Sequence, residues 1–246
     1  MYQFFVSANQ INGERVSLLG EDVNHIKNVL RMRAGEEILI SVPEEDRTYH
    51  CVIEALWEDE IIANIASEDL ESTELPSRIY LFQGLPKSDK MELIIQKAVE
   101  LGAYEIVPMA TKRCVVKLDE KREKNKLARW QGIAEAAAKQ SKRGLIPQVH
   151  EILKLKEALS YAKEMDVILF PYEMAEDMDH TRACLEAIRP GQSVAIFIGP
   201  EGGFERSEVE AASEAGAVPI TLGKRILRTE TAGFTVLSWL IYHLQQ

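Results

Sequence analysis

The stretch Val194 to Phe204, V-A-I-F-I-G-P-E-G-G-F, limits what this chain can become more than any other. Val194-Ala195-Ile196-Phe197-Ile198 is unbroken, apolar and β-branched at three of its five positions, the pattern of a strand buried on both faces. Gly199-Pro200-Glu201-Gly202-Gly203 then supplies permissive and φ-locked backbone with little side-chain bulk. Such a loop suits a sharp bend against a ligand, although a ligand-free strand-to-helix turn has the same composition. Its position matters, because open α/β sheets bind ligands beyond the carboxyl ends of their strands. Two more strands stop in the same way. Val218-Pro219-Ile220-Thr221-Leu222-Gly223 runs into K-R-I-L-R-T-E-T-A-G, and Asp166-Val167-Ile168-Leu169-Phe170 ends at Pro171-Tyr172-Glu173. Three such ends are expected to line one crevice.

The chain before this region changes character once. Up to about residue 66 it reads as short strands, Val16 to Leu18, Glu37 to Val42, Thr48 to Ile53 and Ile61 to Ile65, which at this spacing suggest a small barrel. One helix interrupts them, from about Glu21 to Leu30, with Val23, Ile26, Val29 and Leu30 on one face. Ser67 to Arg78 is polar, acidic and broken by Pro76, a linker composition, so the expected organisation is a barrel over 1–70, a linker over 71–78 and a second domain over 79–246. Ile79 to Gly84 is the first buried-type strand of that domain. Ser88 is the expected cap of a helix carrying Met91, Ile94, Ile95, Ala98 and Leu101 inward and ending at Gly102, and Glu105 to Met109 is the next strand. Later helices are expected at about Asn125 to Ser141, Leu155 to Lys163, Asp179 to Ile188, Ser207 to Ala215 and Thr231 to Leu244. Strands alternating with helices argue for α/β with a mainly parallel sheet. The last helix is apolar over most of its circumference and needs cover on more than one side, from the sheet or from a second copy of the chain.

With 246 residues, 46% hydrophobic and 28% charged, the chain has enough apolar content for a sizeable core. Cys51, Cys114 and Cys184 are odd in number and widely spaced, so they read as buried free thiols in a reducing cytoplasm, with neither a disulfide framework nor a metal site. No run reaches the ~18 apolar residues that crossing a bilayer requires. The net charge of −10 argues against a nucleic-acid partner, but it conceals an inversion. Between Lys112 and Arg143 there are eleven cations and four anions, a local balance of +7, and Lys87, Lys90 and Lys97 add to it. This is either a solvated helix face or the footprint of a polyanion. Trp130 falls in register with the apolar face of its helix and reads as core. Arg31 and Arg33, with His25 and Lys27, could contact phosphates or complement a helix end; composition alone favours the second.

Two motifs, I-G-P-E-G-G-F over 198–204 and L-G-K-R-I-L-R-T-E-T-A over 222–232, resemble the signature pair of the RsmE family, the 16S ribosomal RNA uracil-N3 methyltransferases of the SPOUT superfamily. The segments H-I-K-N-V-L-R-M-R-A-G (25–35), K-A-V-E-L-G (97–102) and E-A-A leading to Q-S-K-R (135–143) are similar too, so the likeness spans nearly the whole chain. Glu205 stands where the family often has a capping Ser, which leaves Ser207 as the expected cap. The resemblance implies an N-terminal PUA-like β-barrel that helps hold RNA and a C-terminal trefoil-knotted domain. It further implies a homodimer that binds S-adenosylmethionine without metal or membrane, and a substrate uridine, conventionally numbered 1498, in 16S rRNA of the assembled small subunit. The donor would lie against Leu169, Phe170, Pro171, Glu173, Ile198, Gly199, Pro200, Glu201, Gly203, Leu222, Gly223, Ile226, Leu227, Arg228, Thr231 and Ala232. His25, Arg31, Arg33, Lys87, Lys90, Arg113, Gln140 and Arg143 would hold RNA.

Uracil N3 is a poor nucleophile until its proton leaves, so such an enzyme must align N3 with the methyl group and favour the uracil anion. Arg228 is the first candidate for the anionic charge at O2 or O4, or for an adjacent phosphate. Glu201 and Glu230 are candidates for proton removal or for the donor's cationic end, though either could simply brace its loop. Rival readings are a PUA-like RNA-binding assembly factor without catalysis, and a SPOUT enzyme acting on tRNA or protein. Phe82-Gln83-Gly84-Leu85 is not the Gly-x-Gly loop that a Rossmann methyltransferase carries after its first strand.

Overall fold

The computed structural model describes residues 1–69, 72–115, 119–175 and 177–245. Leu70 and Glu71, where the barrel was expected to give way to the linker, and Lys117 of the basic run lie outside the described residues. The chain divides into two compact units, residues 1–74 with 138–146, and residues 75–137 with 147–246.

Period-two alternation builds the first unit. Its strands are β1 (Tyr2–Phe5), β2 (Ile11–Asn12), β3 (Arg15–Leu19), β4 (Glu37–Val42), β5 (Arg47–Leu56) and β6 (Glu60–Asp69). Val16 and Leu18 of β3, and Tyr49, Cys51 and Ile53 of β5, are buried while their neighbours are less so, as a strand with one core face requires. The strands pair in the order β1-β4-β5-β6-β3-β2, antiparallel except where β1 runs beside β4. Phe4 of β1 and Leu18 of β3, near opposite flanks of the sheet, share one core with Ile38, Ile40, Ile53 and Ile61. The sheet therefore curls around a single interior, as a PUA-like barrel does. Burial pushes the Cys51 thiol up to about 12, whereas Cys114 and Cys184 are only half-buried, short of the full burial expected.

The helix after β3 departs from its expected form. A four-residue α1 (Glu21–Asn24) widens into a π-helical turn over His25–Val29, closed by the Leu30 N–H donating to the His25 carbonyl at 2.8 Å. The extra residue in the turn rotates Val29 out to 64% exposure, and Met32 is buried instead.

Residues 138–146 join this unit through polar contacts that local sequence does not show. The Arg143 Nε donates to both Glu74 carboxylate oxygens at 3.1 Å, and the Gly144 N–H donates to Glu74 Oε1 at 2.9 Å. Gln3 Nε2 donates to the Arg143 carbonyl and to Ser41 Oγ, each at 2.7 Å. Lys139 lies 3.5 Å from Asp22.

Apolar runs without alternation build the second unit. Its strands are β7 (Arg78–Gly84), β8 (Glu105–Ala110), β9 (Gln148–Val149), β10 (Leu153–Lys154), β11 (Val167–Pro171), β12 (Ser193–Ile198) and β13 (Val218–Ile220), paired in the order β10-β8-β7-β12-β11-β13 with β9 also on β8. Every pairing in this sheet is parallel. Its helices are α2 (Lys90–Glu100), α3 (Glu120–Ser141), whose last turn belongs to the first unit, α4 (Leu155–Ala162), α5 (Met178–Glu186), α6 (Arg206–Glu214) and α7 (Thr229–Leu244). One face of the sheet packs Phe82, Val107, Phe170 and Phe197 against α4 and α6. On the other, Gly233 of α7 lies within 4 Å of Leu81 and Ile198, so both faces are covered, as an all-parallel sheet demands. Helices α3 and α7 start earlier than periodicity implied. Ser88 does not cap α2: it takes a left-handed φ of 57°, and Asp89 occupies the N-cap position. Nor does Ser207 cap α6. Glu205 is the N-cap, and its N–H donates to Glu208 at 2.9 Å.

Two stability predictions follow from buried carboxylates. Glu105 opens β8 inside the sheet; burial pushes its carboxyl above the ordinary range, only partly offset by the Tyr161 hydroxyl donating to it at 3.0 Å and by His150. A raised folded value means that its contribution is present in acid and lost as pH rises through that value. Glu105→Gln, which can still accept from Tyr161, should therefore melt higher than wild type in neutral and alkaline buffer and alike in acid. Arg143 is 4% exposed, so Arg143→Ala leaves Glu74 buried without its cation and should lower urea-measured stability by about 3–5 kcal/mol. Arg122→Ala, which loses only an exposed ion pair to Asp119, should stay within about 0.5 kcal/mol of wild type.

Candidate functional site

Parallel pairing puts the carboxyl ends of β7, β12, β11 and β13 side by side along one edge. The register sets Gln83 opposite Ile198, Ile196 opposite Leu169 and Pro171 opposite Ile220. The three run-outs singled out by their sequence thus belong to neighbouring strands. The chain leaves β13 on the outer side of β11, yet α7 begins on the other side. There the Thr229 hydroxyl donates to the Gly199 carbonyl at 2.6 Å and accepts from Gln83 Nε2 at 2.8 Å. Residues 221–228 must therefore cross the ends of β11 and β12.

The loop after β12 has its shape forced by close approach. A Cβ on Gly84 would sit 2.7 Å from Pro200, and one on Gly199 would sit 3.1 Å from Gly203, so both positions demand glycine. Phe204 then anchors the far end of the loop, its ring 4.5 Å from that of Phe170, which continues a row through Phe197 to Phe82. From the turn after β8, Arg113 Nη1 donates to the Gly202 carbonyl at 2.8 Å. The end of β13 is held by Thr181, whose Oγ1 accepts from the Thr221 N–H at 3.0 Å and donates to the Thr221 carbonyl at 3.2 Å.

Two carboxylates and one ammonium meet at this edge. Lys90 Nζ lies 3.0 Å from Glu201 Oε1 and 3.7 Å from Glu230 Oε2. Burial opposes the Glu201 charge, but hydrogen bonds from its own backbone, from Lys90 and from the Lys87 N–H, with the Lys90 charge, outweigh it and hold that carboxyl below the ordinary range. Glu230 Oε2 is buried and has no hydrogen-bond partner. Arg228 is exposed at the N-cap position of α7.

The residues expected to hold a donor group fall along the same edge but differ in exposure. Leu169, Phe170, Ile198 and Pro200 are buried. Pro171, Gly199, Gly203, Leu222, Gly223, Leu227 and Ala232 are half-buried, while Glu173 and Thr231 are exposed, and Ile226 is 81% exposed. The expected RNA-holding set divides. His25, Arg31 and Arg33 are exposed on the first unit, with Arg31 at a left-handed φ of 56°, and Gln140 is exposed on the last turn of α3. Lys87 is exposed, Arg113 is engaged on Gly202, and Lys90 on its carboxylates. Arg143 corrects the expectation: it is interior and bound to Glu74, so it is not presented to phosphate. The basic run is also less basic in space than in sequence, because Arg129 pairs with Glu92 at 2.8 Å and Lys112 with Glu205 at 3.4 Å.

Another cavity, of about 610 Å³, lies at the amino ends of the strands, among Arg78, Tyr80, Tyr161 and Ser193. Size alone does not make it the site, since the converging loops and the carboxylate pair are at the opposite edge. A smaller cavity of about 170 Å³, between Leu85, Asp89, Lys126 and Trp130, does lie at the carboxyl end of β7.

Comparison with known proteins agrees with this geometry. Residues 73–241 match the family model described as RNA methyltransferase domain, and residues 18–66 match that of an RNA methyltransferase PUA domain. Ribosomal RNA small subunit methyltransferase E of Bacillus subtilis is 36% identical, over 100% of this chain and 98% of the relative. The chain belongs to the ribosomal RNA small subunit methyltransferase E family. The Neisseria gonorrhoeae member of that family, crystallised with S-adenosyl methionine, superposes with a TM-score of 0.83 at 33% identity, covering 98% of this chain and 97% of that one. A putative methyltransferase from Legionella pneumophila, in complex with the same molecule, gives 0.83 at 30% identity with the same coverage.

Within this family member, several residues that shape the site escaped the sequence reading. Thr181, Glu208 and Thr229 have no signal apart from their partners. Gln83 did have one, as a lone polar residue in the apolar run Ile79 to Phe82. Thr229→Val should cost about 1–3 kcal/mol in urea unfolding, because the Gly199 carbonyl loses its donor and Gln83 an acceptor in a buried place; Thr229→Ser, which keeps the hydroxyl, should recover most of it.

Proposed function

We propose that this chain transfers a methyl group from S-adenosylmethionine to N3 of a uridine in 16S rRNA, at the position conventionally numbered 1498, in the assembled small subunit. The observation that carries the reading is the pair Glu201 and Glu230 sharing one ammonium at the strand ends, with Arg228 exposed nearby. Carboxylates at the strand ends suit the cationic end of a sulfonium ligand, and the Arg228 guanidinium suits anionic charge on a base. The orphaned Glu230 Oε2 and the glycine-forced loop fit such a group as well. When bound, S-adenosylmethionine supplies a methyl group already activated by positive sulfur.

The chain's own residues then have three tasks. Main chain at Leu169, Pro171, Gly199, Leu222, Ile226 and Leu227 holds the donor, and the apolar side chains there, the exposed Ile226 among them, flank its adenine. Arg228 presents a guanidinium fork to the charge that builds on O2 or O4 once N3 loses its proton. Arg31, Arg33, His25, Lys87, Arg113 and Gln140 hold the RNA backbone. The crossing of residues 221–228 over neighbouring strand ends supports a trefoil-knotted backbone. On α7, half-buried Phe234, Trp239 and Ile241 beside Tyr242, which is 76% exposed, support a homodimer with that helix at its interface. The barrel over 1–70, the linker over 71–78, the methyltransferase domain over 79–246 and a cytoplasmic location complete the proposal.

Assembled small subunits, bare 16S rRNA, tRNA and protein, each incubated with labelled donor, test it. Label should appear on small-subunit rRNA, at N3 of one uridine by nucleoside mass spectrometry. Dominant labelling of tRNA or of protein would overturn the assignment. Arg228→Ala should keep donor affinity within a few-fold by calorimetry and lose turnover by about 100-fold or more.

A further inference from the structure

We infer that Lys90 is a positioning residue for proton removal: its ammonium anchors the Glu230 carboxylate at the strand ends, so that Glu230 rather than Glu201 takes the imide proton of the substrate base. This rests on the uracil-N3 reading above.

The two carboxylates are not equivalent. Both Glu201 oxygens accept from the Lys87 N–H, at 3.1 and 3.3 Å, and Oε1 also accepts from Lys90 Nζ at 3.0 Å. A carboxylate so supplied with donors, and held below its ordinary range, is a weak base. Glu230 is in the first turn of α7, with its side chain 15% exposed. Its Oε2 is buried without a hydrogen bond, and Lys90 at 3.7 Å is an ionic neighbour beyond hydrogen-bonding reach. It therefore keeps acceptor capacity for an N–H brought by a ligand. Arg228 stands two residues earlier, so one helix end offers a base for the proton and a cation for the charge left behind. Among the described residues, Lys90 from α2 is a charged neighbour of Glu230 at 3.7 Å, and it also holds Glu201 of the loop after β12 at 3.0 Å. Lys90 is engaged with both carboxylates, and a phosphate would have to displace one of them.

The step balances. The N3–H bond breaks and the proton passes to a Glu230 oxygen. The pair left on N3 forms the N–CH₃ bond as the S–CH₃ bond opens, its electrons staying on sulfur. Glu230 then returns its proton to water.

Lys90→Met, Lys90→Arg and Glu230→Gln test the inference, with donor affinity by calorimetry and kcat and KM for small subunits. Lys90→Met should lower kcat by about tenfold or more while KM for small subunits stays within about threefold, since no ammonium then anchors the carboxylate. Its donor affinity should be unchanged or tighter, because the crevice has lost a positive charge. Lys90→Arg should restore kcat to within about threefold, and Glu230→Gln should lose about 100-fold or more in kcat at saturating donor. Wild-type kcat with a raised KM for RNA in Lys90→Met would make Lys90 a phosphate contact and overturn the inference. So would a Glu230→Gln variant that loses donor affinity but keeps kcat at saturating donor. A wild-type protein that binds donor but labels no uridine N3 would fail the functional reading first and this inference with it; labelling with an unaltered kcat in Lys90→Met would fail this inference alone.

Discussion

A single buried hydroxyl, that of Thr229, sits where three elements of the candidate site meet. It accepts from Gln83 on β7 and donates to Gly199 at the end of β12, while its own backbone begins α7. That contact, together with the packing of α7 against Leu81 and Ile198, holds the chain where it has come back from β13 across β11 to the middle strands. The return path is what places Arg228 and Glu230 near the glycine-rich loop, so their chemistry depends on a hydrogen bond neither of them makes. A hydroxyl suits the place because it can give and accept at once in a space with little room for water. The Gln83 amide, buried in an otherwise apolar strand, would be costly without such a partner.

Charge is arranged on the same principle, with partners brought together from distant parts of the sequence. Glu201 comes from the loop after β12 and Glu230 from the first turn of α7, and the cation between them comes from the start of α2. Such a cluster is cheap to keep only while its charges nearly cancel. The basic run on α3 shows the converse. Its cations are partly neutralised by Glu92, Glu205, Asp22 and Glu74, so a charge count along the chain overstates the field that a polyanion would meet.

Where patterns were local, the sequence disclosed the structure; where partners were remote, it did not. Short, closely spaced runs rich in β-branched and aromatic residues marked the strands around the first core, and unbroken apolar runs marked those of the parallel sheet. The glycine-rich loop was equally plain, since a missing Cβ is visible as a letter. Val29 was misplaced because a π turn changes the helical period, and nothing in H-I-K-N-V announces one. Ser88 and Ser207 were misread as caps because a capping residue is defined by backbone φ and ψ as much as by its side chain. Arg143 was misread for a deeper reason. An arginine in a basic run carries no mark of the single glutamate, far back in the chain, that draws it inside.

That glutamate also bears on how the chain is partitioned. Glu74 lies just beyond the last strand of the curled sheet, and its partners Arg143 and Gly144 follow α3, whose first turns belong to the parallel-sheet unit. The first unit is thus discontinuous: its buried ion pair forms only after the chain has made β7, α2, β8 and most of α3. Each oxygen of Glu74 has donors in the folded unit, and in a chain cut at the linker it would have none of them. The acidic linker composition that marks a boundary in the sequence therefore contains a residue belonging to the interior of the unit before it. Charge composition reports where water is usually found. It cannot report that one carboxylate in such a stretch is reserved for an arginine about seventy residues on.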